Sequence, residues 1–160
     1  MISRLRILNL PGVVEMVEVV ITVLRTGCLN INGDYPLMTR INVVPPSELC
    51  DKHLLAEIRE LPRIPNSINS GRAKVDCPKP DQYVLGRGHV SFFYNKLGWL
   101  HERYNALHAE CTARGFKVVY RWPDKVDRKL YNYVDIVTPE ALRLNRERIQ
   151  IRMPKNAKWS

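Results

Sequence analysis

The stretch from residue 88 to residue 114 reads GHVSFFYNKLGWLHERYNALHAECTAR and has the most regular apolar spacing in the chain. Its apolar residues recur at steps of three and four positions, which place them on one face of an α-helix. Gly115 follows directly, and glycine is the residue that most often ends a helix. Gly98 lies inside this helix and weakens it by roughly 1 kcal/mol relative to alanine. We therefore predict a long central helix whose buried seam consists of Val90, Phe93, Leu97, Leu100, Tyr104, Leu107 and Cys111.

Two shorter helices are predicted on either side of this one. The first follows Pro46, with Ser47 as its N-cap, and is closed by Pro62. The last begins at Thr138, a capping residue that is followed by a proline at the first helical position, and continues to about Ile149. Each segment repeats apolar residues at helical spacing, so each is expected to bury one face.

The segments between these helices have the composition of loops. Residues 64–85 hold three prolines and mixed polar residues, and residues 116–137 show no clear period. We interpret the second segment as loop or short helix. No strand pairing or internal repeat is evident. The prediction is an all-α fold, a single compact domain of about three main helices around a long central helix, with long loops.

The net charge of +9 is distributed unevenly. Residues 1–37 carry as many acidic as basic side chains, so the whole excess lies on residues 38–160. A compact, strongly basic domain is typical of proteins that bind nucleic acid, although a solvated basic surface has the same composition. Residues 1–37 are also more apolar than the rest. We therefore expect an N-terminal extension, either an over-long start or a disordered segment, before a domain at 38–160.

The cysteines and the apolar segments narrow the class of protein further. The four cysteines form no CxxC pair and no cluster with histidine, which argues against a zinc module and suits reduced thiols in a cytoplasm. The most apolar stretch, residues 13–24, is interrupted by Glu15 and Glu18. We therefore predict neither a membrane-spanning helix nor a secretory signal. A cytoplasmic monomer is expected.

Two groups of motifs carry a family resemblance. The first comprises MTRIN at residues 38–42, SEL at 47–49, HL at 53–54, AE at 56–57 and RELPR at 59–63. The second comprises LGRGHVSFFYNKL at residues 85–97, AEC at 109–111 and RGF at 114–116. In this order and spacing they resemble the phage-type endonuclease V family, the pyrimidine-dimer DNA glycosylases. The resemblance covers most of residues 38–116 and fades after that.

The resemblance implies a mostly helical glycosylase and abasic-site lyase that needs no metal or other cofactor. In that family the amine of the threonine after the initiator Met attacks the damaged sugar, which here is Thr39, and the catalytic glutamate falls on Glu60. An α-amino group titrates near pH 8, far below lysine, so a useful fraction is neutral and nucleophilic at physiological pH. The resulting imine accepts electrons, and β-elimination then expels the 3′ phosphate. Glu60 would stabilise developing charge and transfer protons.

The resemblance also implies a set of DNA contacts, on Arg40, His53, Arg59 and Arg63. Guanidinium groups suit bidentate contacts to phosphate, which give position and salt-dependent affinity without sequence preference. The expected partner is double-stranded DNA that contains pyrimidine dimers or abasic sites. The family bends this duplex and takes a base out of the stack opposite the dimer.

Simpler interpretations exist for the same residues. Without the resemblance, Glu60 would be one more exposed helical acid, paired with Arg63 or Lys52, and Thr39 would attract no attention. The acids Glu57 and Glu60 share a helix face with His53, which could suggest a metal site, but no second cluster supplies further ligands. Four basic residues lie just before or within the loop at residues 64–85. They could contact phosphate groups or simply be solvated, and the two interpretations are equally good: Arg63, Arg72, Lys74 and Lys79.

The chain departs from the family at both ends. The C-terminal tail keeps Trp159 but lacks the aromatic- and lysine-rich run that the family places against DNA. More important, an extension before Met38 would convert the amine of Thr39 into an amide, which cannot form an imine. We therefore expect that translation begins at Met38. The alternatives are a non-catalytic DNA-binding module whose amine is blocked by residues 1–37, and a helical scaffold for protein interaction alone.

Overall fold

The architecture comes from a computed structural model, which describes residues 41–160. Within this range the chain forms four α-helices and three short 3₁₀ turns, and no strand, which confirms the all-α prediction. The helices are α1 (Asp51–Glu60), α2 (Arg63–Asn69), α3 (Leu97–Ala113) and α4 (Pro139–Ile151). The extension at residues 1–37, with Thr39 and Arg40, lies outside the described residues.

The central helix is shorter than predicted at its N-terminal end. It begins at Leu97, because Lys96 leaves the helical conformation at φ −129° and a separate 3₁₀ turn, Ser91–Phe93, precedes it. This turn directs Phe92 and Phe93 into the core, where their rings pack edge to face. The helical seam itself is confirmed. From Phe93 to Cys111 every predicted seam residue is buried, and only Val90 is partly exposed.

The first predicted helix divides into several elements. Pro46–Glu48 form a 3₁₀ turn, so Ser47 is not the N-cap of α1, and Cys50 occupies the cap position without a side-chain bond. Pro62 does not end helical structure, because it lies at the N-cap of α2. A proline is well tolerated at the start of a helix, where its missing N–H would have no partner. The predicted loop at 64–85 is therefore helical over its first six residues.

The last helix agrees with its prediction. Thr138 is the N-cap of α4, and its hydroxyl accepts a hydrogen bond from the amide of Ala141 at 3.1 Å. Between α3 and α4, residues 116–137 are loop with a single 3₁₀ turn, Arg128–Leu130, as predicted. This loop crosses α3 at Gly98, where a Cβ would lie 2.9 Å from the carbonyl oxygen of Asn132. The glycine is thus required by close packing and is not merely tolerated.

The core forms where α1 packs against α3, and Ala141 and Ile149 of α4 belong to the same buried cluster. Its members are large aliphatic and aromatic side chains from all the elements, and they enclose several polar groups. Of the cysteines among residues 41–160, Cys50 and Cys111 are free and buried. Among residues 41–160, no helix is long and apolar enough to cross a membrane.

Candidate active site

An open cavity of about 570 Å³ lies between α1 and α4. One wall is the exposed edge of α1, and the other is the C-terminal half of α4. The cavity is lined by Asn42, His53, Ala56, Glu57, Arg59, Glu60, Arg63, Arg148, Ile149 and Arg152. All the predicted site residues that the structure describes, namely His53, Arg59, Glu60 and Arg63, therefore come together in one place.

Glu60 is the central carboxylate of this cavity. Its side chain is 14% exposed, and it lies between two more exposed arginines. The Nε of Arg59 donates to Oε1 at 3.0 Å, while Nη1 of Arg63 lies 2.6 Å from Oε2. That second contact is an ion pair without hydrogen-bond geometry, so within residues 41–160 the buried Oε2 has no hydrogen-bond donor. Both oxygens of Glu60 are thus engaged by arginines at the edge of the cavity.

Glu57 has a different role from the one its helical position suggests. It lies one turn before Glu60 on α1, yet it is 3% exposed and points inward. Arg103 of α3, itself 7% exposed, donates from Nε to Oε1 at 3.0 Å and from Nη2 to Oε2 at 3.1 Å. This bidentate pair compensates the charge of Glu57. The three residues His53, Glu57 and Glu60 therefore do not act as one exposed acidic face.

The buried Glu57 also anchors the start of the described chain. The amide N–H of Asn42 donates to Oε1 of Glu57 at 3.0 Å, and the side-chain amide of Asn42 donates to Oε2 at 2.6 Å. On the other side, Oδ1 of Asn145 accepts from the amides of Val43 and Val44 at 2.8 and 3.2 Å. Asn145 is completely buried on α4. The extended segment 41–44 is thus held by side chains rather than by a helix or a sheet.

The second wall of the cavity was not predicted as part of a site. Arg148 and Arg152 of α4 face the same space as Glu60, and Nη2 of Arg148 donates to Oδ1 of Asn42 at 3.0 Å. The sequence does show a basic side on this helix, but four arginines share it. Arg143 is paired with Glu140 and Glu147, and Arg146 is paired with Glu48. The position of α4 beside α1 decides which arginines face the cavity, Arg148 and Arg152, and which pair with acidic side chains elsewhere.

His53 joins the two walls of the cavity. Its Nε2 lies 3.2 Å from the carbonyl oxygen of Arg152, and because a carbonyl can only accept, the imidazole donates this hydrogen bond. The contact links the first half of α1 to the end of α4 across ninety-nine residues of chain. In the part of the chain that the structure describes, no group of three histidine, cysteine or carboxylate side chains is arranged to hold a metal ion.

The cavity thus combines the carboxylate of Glu60 with four arginines on a helical scaffold, an arrangement suited to an enzyme that acts on a phosphate-bearing substrate. Comparison with known protein families identifies the class. The family model described as pyrimidine dimer DNA glycosylase matches residues 38–124, which is more than half of the chain. The chain belongs to the pyrimidine dimer DNA glycosylase family. Its activity is that of a DNA glycosylase, and its partner is DNA that contains pyrimidine dimers.

The matched range has a consequence for the site. It includes α1, α2 and α3, and with them the predicted residues from Thr39 to Arg63. Helix α4, which contributes Asn145, Arg148 and Arg152, begins at Pro139 and lies beyond it. One wall of the cavity therefore belongs to the family match, and the other is contributed by the rest of this chain.

Proposed function

We propose that the glycosylase reaction proceeds through an imine formed by the amine of Thr39, with Glu60 as the acid–base group, and that β-elimination follows. The observation that carries this proposal is the anchoring of Asn42 on Glu57, one helical turn from Glu60. Residues three apart on a helix have neighbouring side chains. A chain spans at most about 3.5 Å per residue, so a nucleophile three residues before Asn42 can be no more than roughly 11 Å from it. This short span supports the proposed pairing of Thr39 with Glu60.

The proposed reaction forms one bond for each bond that it breaks. The neutral amine attacks C1′ of the damaged nucleotide, and the glycosidic bond breaks with its electron pair leaving on the base. Ring opening at the sugar oxygen gives the imine, and Glu60 supplies or removes protons as charge develops. Loss of a proton from C2′ then expels the 3′ phosphate. The carboxylate of Glu60, which lines the cavity, suits these proton transfers.

The arginines of both walls serve binding in this proposal. Arg59 and Arg63 on one side, and Arg148 and Arg152 on the other, would contact phosphates that flank the lesion. Arg40 is proposed to join them, and His53 would lie beside the scissile sugar. Because such contacts release counterions, affinity for DNA should fall steeply as salt is raised.

The proposal sets a condition on the N-terminus. An amide nitrogen cannot form an imine, so the reactive chain is proposed to begin at Thr39, with residues 38–160 encoding the working domain. Methionine before a small residue is the type of start from which the initiator Met is normally removed. A chain that retains residues 1–37 would bind DNA through the same arginines without lyase activity, and this is the second candidate function.

Borohydride trapping tests both candidates. We expect the chain that begins at Thr39 to form a covalent complex with abasic-site and irradiated duplex DNA in the presence of borohydride, and the chain that retains residues 1–37 to bind without trapping. Glu60→Gln in the Thr39-start chain should abolish strand cleavage, whereas Glu102→Gln, an acid on α3 away from this cavity, should leave it unchanged. Efficient trapping by the chain that retains residues 1–37 would falsify the proposed nucleophile.

A further inference from the structure

Ile41 is the first residue that the structure describes, two positions after the proposed nucleophile Thr39 in the sequence, and it is completely buried. Its amide N–H donates to Nε2 of His89 at 3.0 Å, and its carbonyl oxygen accepts from the hydroxyl of Tyr83 at 2.9 Å. Buried backbone groups nearly always have partners, and secondary structure usually supplies them. Here two side chains from the loop before the central helix supply both.

The protonation of His89 follows from its two partners. Its Nδ1 lies 2.7 Å from the carbonyl oxygen of Val84, which can only accept, so Nδ1 carries the hydrogen. Nε2 then keeps its lone pair and accepts from Ile41, as a neutral imidazole does. The ring is 2% exposed and is enclosed edge to face by Tyr83 at 5.4 Å and by Phe93 at 5.6 Å. Both its orientation and its tautomer are thus determined by the fold.

Tyr83 is committed to its contact in the same way. It is 7% exposed, and burial raises the pKa of its hydroxyl far above the ordinary value of 10, so it stays a neutral donor. The charged groups around the pair are Glu57 and Arg103, which neutralise each other, and Arg148. Neither Tyr83 nor His89 lines the cavity that contains Glu60. Their shared function is therefore not contact with substrate but the placement of Ile41.

We propose that His89 and Tyr83 are positioning residues that fix where the amine of Thr39 lies relative to Glu60, an inference that rests on the proposed function. Asn42 is anchored from α1, and Ile41 is anchored independently from this loop, so only Arg40 lies between the anchored backbone and Thr39. Each lost anchor adds rotational freedom to the chain that leads to the amine. Reaction of a held nucleophile is very sensitive to such freedom, and a misplacement of about 1 Å can cost roughly 100-fold in rate.

The test uses three variants of the Thr39-start chain. Tyr83→Phe removes one hydroxyl, His89→Leu removes the acceptor, and His89→Gln places an amide oxygen near the position of Nε2. The matched controls are Tyr120→Phe and His108→Leu, which alter exposed members of the same residue types. Single-turnover borohydride trapping at saturating abasic-site DNA measures imine formation. Affinity for duplex with an unreactive tetrahydrofuran abasic analogue, and thermal unfolding, are measured beside it.

The expected result separates rate from binding. Trapping should slow at least about tenfold in His89→Leu and measurably in Tyr83→Phe, with DNA affinity unchanged within about twofold, and His89→Gln should recover most of the rate. The controls should match the unaltered chain. Wild-type trapping rates in both Tyr83→Phe and His89→Leu would overturn the inference and leave the nucleophile standing. Parallel losses of rate, affinity and thermal stability without rescue by Gln would also overturn it.

Failure of the proposed function has a different signature. If the unaltered Thr39-start chain forms no trapped complex while it binds the abasic analogue, the nucleophile is wrong and the positioning role fails with it. If the unaltered chain traps normally, every outcome for the variants concerns His89 and Tyr83 alone.

Discussion

Glu57 and Glu60 are two glutamates one turn apart on α1, and their neighbours give them separate roles. Glu57 is enclosed by Arg103 and by the amide groups of Asn42, so all of its acceptor capacity is used inside the protein. Glu60 lines the cavity, and its contacts are the exposed Arg59 and Arg63. The inner carboxylate holds the chain, and the outer one is left for chemistry.

The pair of Glu57 with Arg103 predicts a large effect of a single substitution. Arg103→Met keeps most of the side-chain volume but leaves Glu57 as a buried charge without its partner. Loss of one member of a buried ion pair costs about 3–5 kcal/mol of unfolding free energy. Arg143→Met, which removes the exposed ion pairs with Glu140 and Glu147 on α4, should cost far less. Urea unfolding measures both, and equal small losses would show that Glu57 does not depend on Arg103.

Helix α4 combines an internal and an external function. Its buried Asn145 satisfies two backbone amides of the first segment, although asparagine is a poor residue for a helix interior. Its outer arginines divide into those paired with acids of the surface and those that face the cavity. The helix therefore connects the anchoring of the chain start to the proposed DNA surface.

This division predicts different salt responses for two arginines of the same segment. Arg152→Gln should weaken binding to duplex DNA and reduce the slope of log affinity against log salt by about 0.9, the value for one lost phosphate contact. Arg143→Gln should leave the slope unchanged, because its guanidinium is engaged by Glu140 and Glu147. Fluorescence anisotropy across a salt series provides both slopes. A change in slope for Arg143→Gln equal to that of Arg152→Gln would contradict the assignment.

Across the molecule as a whole, the C-terminal tail is fastened to the start of α1. The amide of Asp51 donates to the carbonyl oxygen of Lys158 at 2.8 Å, and Ser160 donates to the carboxylate of Asp51 through its amide and its hydroxyl. Arg114, from the end of α3, donates to the same carboxylate at 3.0 Å. One aspartate thus joins three distant parts of the chain, and it does so beside the helix that contains Glu60.

The titration of Asp51 makes this junction dependent on pH. Desolvation opposes its ionisation, but hydrogen bonds from Ser160 and Arg114 outweigh it, and the pKa of Asp51 is lowered from its ordinary value of 3.8. A lowered pKa contributes stability that is fully present above the unfolded value and is lost as pH falls through the folded value. Asp51→Asn should therefore destabilise the protein most above about pH 4.

The measurement is the difference in urea midpoint between the unaltered chain and Asp51→Asn from pH 7 to pH 2.5. We expect this difference to shrink toward acid pH, because the unaltered carboxylate becomes protonated there as well. Asp124→Asn, at an exposed loop position, should show a small difference that does not vary in this way. A difference for Asp51→Asn that is constant with pH would mean that its charge does not hold the junction.

The sequence by itself was sufficient for the class of fold, the seam of the central helix, the last helix with its Thr138 cap, and the family. These follow from local periodicity, capping residues and contiguous motifs, which need no knowledge of contacts between distant residues. The boundaries were less predictable. Ser47, Pro62 and the segment before Leu97 have several local interpretations, and packing of the phenylalanines and of the loop at Gly98 selects among them.

The burial of Glu57, the pairing of its carboxylate with Arg103, and the anchors Asn145, His89 and Tyr83 depend on tertiary structure. The contacts join residues that are up to about one hundred positions apart, and nothing in local composition distinguishes these side chains from solvated ones. The roles of Arg148 and Arg152 also depend on tertiary structure. These two arginines differ from Arg143 and Arg146 only in that they face the cavity. Charge and motif indicate which residue types a DNA glycosylase needs, and long-range packing selects which of those side chains surround the cavity.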